Sequence, residues 1–262
     1  GYVDPMTDRY ITLTTEGVLP DDEPLQGMKQ WYLMYGVSED GGRTELVREQ
    51  IIHEGEEFDA EHHLPGVWRG RNCVMLGDYT CRPITRSDGV ILLPCQISPT
   101  GPNGHYHNPG GGLTYTDAAL LHGRWRPDGG LIWTLSERVT GDPGRSTRGM
   151  IEPTIASLDG DRIIMVMRGS NDKRPHLSGY RWVSFSEDGG STWSRPQPWT
   201  YTDGRAFFSP SSCSQLVTHS TGRLFWLGNV SDRNPRGNLP RYPMVMGEVD
   251  RTSGRLIRDS VA

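Results

Sequence analysis

Lysine is nearly absent from this chain, which holds 25 arginines and only two lysines. No apolar run approaches the ~20 residues that a membrane-spanning helix needs. No stretch carries the apolar period of an amphipathic helix. The four cysteines, at 73, 81, 95 and 213, lack C-x-x-C metal spacing. Cys81 and Cys95 flank one predicted strand pair, so a bridge or two buried thiols are both open. His62 and His63 are adjacent, too close to argue for a metal by themselves, and nothing calls for a cofactor. Apolar residues are 34% of the chain, and the net charge is −5. That charge argues against a phosphate-backbone partner, so no nucleic acid is expected. The first 25 residues are polar and acidic and do not read as a secretory leader.

What is plentiful is turn-forming residues. The chain has 33 glycines and 19 prolines, which suits short strands with many connections. The arginines present planar forks suited to carboxylates, so an acidic small ligand fits them. The bland alternative is genome composition.

One stretch organises the rest: Tyr180 to Trp193, YRWVSFSEDGGSTW. It joins an alternating strand to an acidic-glycine turn. Tyr32 to Thr44, YLMYGVSEDGGRT, repeats its core, so Ser-Glu-Asp-Gly-Gly-x-Thr occurs at 38–44 and 186–192. Three further segments align with one another, at 82–98, 152–170 and 209–231. Each begins with a residue before proline, runs through a short strand and a glycine turn, and ends in a strongly apolar strand. The third copy has the longest first strand. Arg82, Glu152 and Ser209 match before the proline; Gln96, Arg168 and Asn229 match at the end of the second strand. A third strand follows each pair, from Tyr115, Tyr180 and Arg241, and then a short fourth. The unit is four antiparallel strands at propeller-blade spacing. The expectation is all-β, one β-propeller domain over 1–262. About four blades are recognisable, at 9–50, 73–137, 150–202 and 208–260. Pro20 to Pro24 and 50–72 read as loops, and 99–112 is a long Gly/Pro/Asn/His loop. In a propeller, matching inner positions converge on one axis.

The turn Ser186-x-Asp188-x-Gly190-x-Thr192-Trp193 resembles the Asp box of sialidases and related propellers at all five positions. Ser38, Asp40, Gly42 and Thr44 match four of them, with Glu45 in place of the tryptophan. Asp and Ser side chains bond nearby amides in such turns, and glycine supplies the positive φ. The resemblance implies a folding device on the outer side of the propeller, away from the active site. A second likeness bears on chemistry. Glu152-Pro153-x-Ile155 and, sixteen residues after the glutamate, Arg168 resemble the sialidase segment with the catalytic glutamate and one arginine of a carboxylate-binding triad. Arg82, in Cys-Arg-Pro, and Arg241, before YPMVMGEVD, are similar to the other two; Arg236 rivals Arg241. The resemblance implies six blades, a glycoside hydrolase acting on a carboxylate-bearing sugar, and a secreted or periplasmic setting. The family's tyrosine nucleophile and aspartic acid have no match here. The loop at 99–112 offers His105, Tyr106, His107 and Asn108 instead.

Three readings follow. The first is a sialidase-like hydrolase of an acidic glycan, with Glu152 and His107 as catalytic groups and Arg82, Arg168, Arg241, Gln96 and Asn229 holding the substrate. The second is a propeller lyase on uronate glycans, with His105, Tyr106 and His107 as base and acid. The third is a non-catalytic carbohydrate-binding propeller, which the missing tyrosine and aspartate favour.

Overall fold

A computed structural model of the protein describes residues 1–18, 30–70, 73–77 and 80–262. The predicted Pro20 to Pro24 loop lies outside them. The described chain is all β, with seventeen short strands in four antiparallel sheets. No described helix is long and apolar enough to cross a membrane.

The first sheet holds β1 (Tyr2–Val3), β2 (Tyr10–Val18), β3 (Gln30–Ser38) and β4 (Val47–Gln50) in that order. The second holds β5 (Val74–Met75), β6 (Ile84–Thr85), β7 (Ile91–Ile97), β8 (Asp117–Trp125) and β9 (Leu131–Leu135). Here β5 and β6 pair with opposite ends of β7, as one inner strand broken in two. Pro94, which has no N–H for a ladder, lies in the interval between them. The third sheet runs β10 (Ile151–Ser157), β11 (Ile163–Arg168), β12 (Arg181–Ser186) and β13 (Gln197–Pro198). The fourth runs β14 (Gln215–Thr218), β15 (Leu224–Asn229), β16 (Met244–Asp250) and β17 (Arg255–Leu256).

Side-chain alternation explains how the sheets stack. Leu92 and Leu93 are adjacent, yet Leu93 joins a core with Leu33, Tyr35 and Trp133, while Leu92 joins one with Met165, Met167 and Trp182. Ile164 and Val166 face the other way, toward Trp226 and Leu224. The middle strands are therefore buried on both faces, which is why ILLP and IIMVM read as unbroken apolar runs. Strand β10 packs against β7 on one side and β14 on the other. The far face of the fourth sheet is different: Val217, Met244 and Met246 are exposed there.

Several expected boundaries move. The strand returning from the first turn begins only at Val47, because the Asp40 turn uses the Thr44 amide itself. β16 begins at Met244 rather than Arg241, since Pro240 and Pro243 cannot donate to a ladder. The longer first strand expected in the third copy shortens to β14, because Arg181 draws on the Ser209–Ser212 segment instead. The Cys81–Cys95 bridge is not formed, and all four cysteines are thiols.

The two Asp-box turns have the same internal bonding. In each, serine Oγ meets aspartate Oδ1 at 2.7 Å. The threonine amide donates to that aspartate at 2.8 Å in one and 2.9 Å in the other. These bonds, led by the threonine amide, hold Asp40 and Asp188 down at about 2. Both turns connect a third strand to a fourth.

Candidate active site

The inner strand β10 is distorted where its sequence requires it. Ile151 pairs with Arg168 and Thr154 with Val166, so Glu152 and Pro153 together oppose Met167 alone. Proline lacks the N–H for a regular ladder, and the two-against-one count is a β-bulge. At this bulge Glu152 adopts φ 49°, one of two non-glycine residues with positive φ among those described. A bulge re-aims a side chain, and such backbone costs on the order of 1–3 kcal/mol, which surrounding contacts must offset.

Those contacts come from two sheets. The Glu152 N–H donates to Gln96 Oε1 at 2.8 Å, reaching across from the end of β7. Its Oε1 accepts from Arg168 Nη1, at the end of β11. Arg168 Nε donates to Ser211 Oγ at 2.8 Å. Glu152 and Arg168 are 6% and 5% exposed, so the ion pair is buried. Glu152 Oε2 is buried without a hydrogen-bond partner of ordinary geometry. The Cys213 thiol, a weak donor, acts on the same carboxyl group. Burial pushes the Glu152 carboxyl up. The bond and charge of Arg168, then Cys213 and Arg181, outweigh that and leave it below its ordinary value. Glu152 is therefore a carboxylate at neutral pH.

Positive charge exceeds negative here. Arg181, the register partner of Arg168, is 1% exposed. Its guanidinium donates to Ser212 O at 2.9 Å and Ser209 Oγ at 3.0 Å. Burial, then the charge of Arg168, brings Arg181 down to about 10. Arg148 is lowered by the same two causes; its field also reaches Asp172, Glu152 and Tyr106. Arg148 Nη2 donates to Thr114 Oγ1 at 2.5 Å, while its Nε is buried without a partner. Arg168 bonds Glu152 directly and the charges of Arg181 and Arg148 reach it, an excess of positive charge that suits a second carboxylate.

The residues picked out by sequence fall into groups. Glu152, Arg168 and Gln96 come together. Asn229 stands one step away: its carbonyl accepts from Ser209 Oγ at 2.7 Å, and that serine meets Arg181. Arg82 is exposed and lines a cleft of about 590 Å³ with Leu13, Thr14, Thr15 and Leu76. Arg241 is exposed and donates to Asn238 O at 3.3 Å. His107 is exposed at the end of the long loop. Arg148 and Arg181 were missed. Arg181 left one usable signal, a charge opening an otherwise apolar strand; Arg148, in a connection outside the repeats, left none. The Glu152 side is covered by Gly77, where an added Cβ would lie 2.6 Å from Glu152 Cγ and 2.9 Å from Gln96 Oε1.

A family model described as a BNR repeat-like domain matches residues 24–252. No curated protein matches the sequence. Among solved structures, the Hadza microbial sialidase Hz136 aligns with TM-score 0.60 and 16% identity, over 96% of this chain and 42% of that one. A protein of unknown function from Dyadobacter fermentans aligns with TM-score 0.57 and 12% identity, over 94% of this chain and 58% of that one. Trypanosoma rangeli sialidase in complex with sialic acid aligns with TM-score 0.52 and 17% identity, over 93% of this chain and 35% of its own. The chain therefore spans less than two thirds of each of these structures.

Proposed function

From the premise that this chain belongs to the BNR repeat-like domain family, with the propeller fold of sialidases, we propose that it serves a glycoside hydrolase of the sialidase type. Its substrate is a sugar that carries a carboxylate. The observation that carries this reading is Glu152: a buried, ionised carboxylate in left-handed backbone, locked between Gln96 and Arg168. Strain of that kind clusters at active sites, where surrounding contacts hold it in place.

The chemistry follows from the arrangement. Arg148 and Arg168 offer charge-assisted donors to the sugar carboxylate. Glu152 has one oxygen engaged by Arg168 and a second with lone pairs to accept a proton from a nucleophilic hydroxyl. Gln96 and the Pro153 bulge keep the carboxylate aimed, so little reorganisation is needed during reaction. The lyase reading draws less support, because the Tyr106 hydroxyl is committed to the Tyr115 backbone at 2.7 Å.

The test is a panel of fluorogenic sialosides and uronate polymers incubated with the protein. Fluorophore release that disappears in Glu152→Gln supports the reading. A new ultraviolet band with unsaturated products would replace it with the lyase. Glycan binding with neither signal would leave a binding module.

A further inference from the structure

Three of the four thiols are sealed in the core. Cys73, Cys81 and Cys95 are 0%, 6% and 0% exposed. Burial raises the thiols of Cys73 and Cys95 above their ordinary value, so both stay protonated and inert. Cys213 is only half-buried.

Its neighbours in the chain fix where it stands. Ser211 Oγ accepts from Arg168 Nε at 2.8 Å, and Ser212 O accepts from Arg181 Nη1 at 2.9 Å. On the other side, Gln215 Nε2 donates to Thr154 Oγ1 at 3.1 Å, and the Leu216 N–H donates to the same oxygen at 3.0 Å. The start of β14 is thus tied to β10 level with Thr154. Cys213 lies two residues before Gln215, as Glu152 lies two before Thr154. An even spacing keeps side chains on one side of an extended chain, so the thiol turns toward β10 as Gln215 does. There it bonds the Glu152 carboxyl, whose Oε2 is buried without a hydrogen-bond partner of ordinary geometry. Partial exposure and two guanidinium groups held by the adjoining serines are the surroundings of a reactive thiol, because positive charge favours the thiolate. The carboxylate of Glu152 opposes it.

We propose that Cys213 is a modification site for small disulfides, and that the adduct reversibly closes the site formed by Glu152 and Arg168. The closure rests on the hydrolase reading above; the modification does not. The Cys213 thiolate attacks one sulfur of the reagent, having lost its proton to solvent. A new S–S bond forms, and the reagent's S–S bond breaks with its electron pair on the departing sulfur, which leaves as a thiol once protonated. The added group stands beside Glu152 in place of the S–H donor. A free thiol reverses the exchange by the same step.

The folded chain is treated with dithiodipyridine, a neutral disulfide that releases thiopyridone, and peptide mass mapping locates the adduct. Label is expected at Cys213, while Cys73, Cys81 and Cys95 react only after unfolding in urea. Release of fluorophore from a sialoside is expected to fall at least about tenfold in the labelled protein, since small misplacements at such a site cost that much or more, and to return with dithiothreitol. Cys213→Ser is expected to take no label, and the reagent leaves that variant's own rate where it was. Glu152→Gln probes the contact without needing activity. Removing the negative charge beside the thiolate should speed labelling at least about threefold. Unlabelled core thiols show that this variant is folded; if they label too, adduct position and loss of release in the wild type decide. No label at Cys213, equal labelling of the core thiols, a rate unmoved by Glu152→Gln in the folded variant, or full labelling with release intact overturns the proposal. A wild-type chain that labels at Cys213 but releases no fluorophore before treatment overturns the hydrolase reading and leaves the modification site standing.

Discussion

Glu152 combines three costs at one residue: left-handed backbone, a buried charge and an oxygen without a hydrogen-bond partner of ordinary geometry. Replacing it by glutamine keeps the shape but leaves Arg168 and Arg181 buried without their counter-charge. Breaking a buried pair in this way costs on the order of 3–5 kcal/mol. Glu152→Gln is therefore expected to lower the urea midpoint as well as abolish sialoside release. His63 is a second case. It is 2% exposed, neither ring nitrogen has a partner, and burial pushes it down to about 4. Since its folded value lies below the ordinary ~6.5 of the unfolded chain, the neutral ring favours the fold. That contribution is fully present above about pH 6.5 and is lost as pH falls toward 4. His63→Leu is expected to remove part of the acid sensitivity of Tm between pH 7 and 4.5; an unchanged pH profile would refute this. Glu152 and Arg168 were legible because both sit in the internal repeat. Arg82 was picked out by the same repeat and by resemblance, Arg241 by resemblance, and the structure leaves both exposed.

Among the elements, the Asp box shows local sequence setting a turn, to which Arg86, His122 and Glu137 of the neighbouring sheet then bond. One aspartate oxygen takes the amides of Ser191 and Thr192 and the Ser186 hydroxyl. Gly190 supplies φ 94° and sits beside Leu120 of the neighbouring sheet. Asp188→Ala is expected to cost about 1–2 kcal/mol in urea unfolding, the range for losing such capping bonds. Activity per folded molecule should not change, since the turn lies at the far end of its strands from Arg168. The turn was readable from seven residues because the partners of the Ser186 and Asp188 side chains are within four positions. The bulge at Glu152 was not, because its register depends on the strand it meets.

For the whole molecule, stability lies between sheets rather than within them. Trp226 is fully buried between the third and fourth sheets, 5.4 Å from Trp199 and 5.7 Å from the Arg181 guanidinium. Trp226→Ala is expected to cost about 3–5 kcal/mol. Met246→Lys, on the uncovered face of the same sheet, should stay within about 0.5 kcal/mol. Parallel thermal unfolding of the two variants checks this contrast; equal losses would mean that the exposed face is packed in solution.

Residue order alone determined the strand pairs, the two Asp-box turns and the matching positions of Glu152 and Arg168. Each depends on neighbours a few residues away or on a period that repeats. Only the tertiary structure decided which arginines share the site. Arg148, Arg168 and Arg181 come from a connection and two different strands, and Gln96 comes from another sheet. Their convergence depends on how the sheets stack and where Pro153 bends β10, which are long-range packing outcomes that no local pattern encodes.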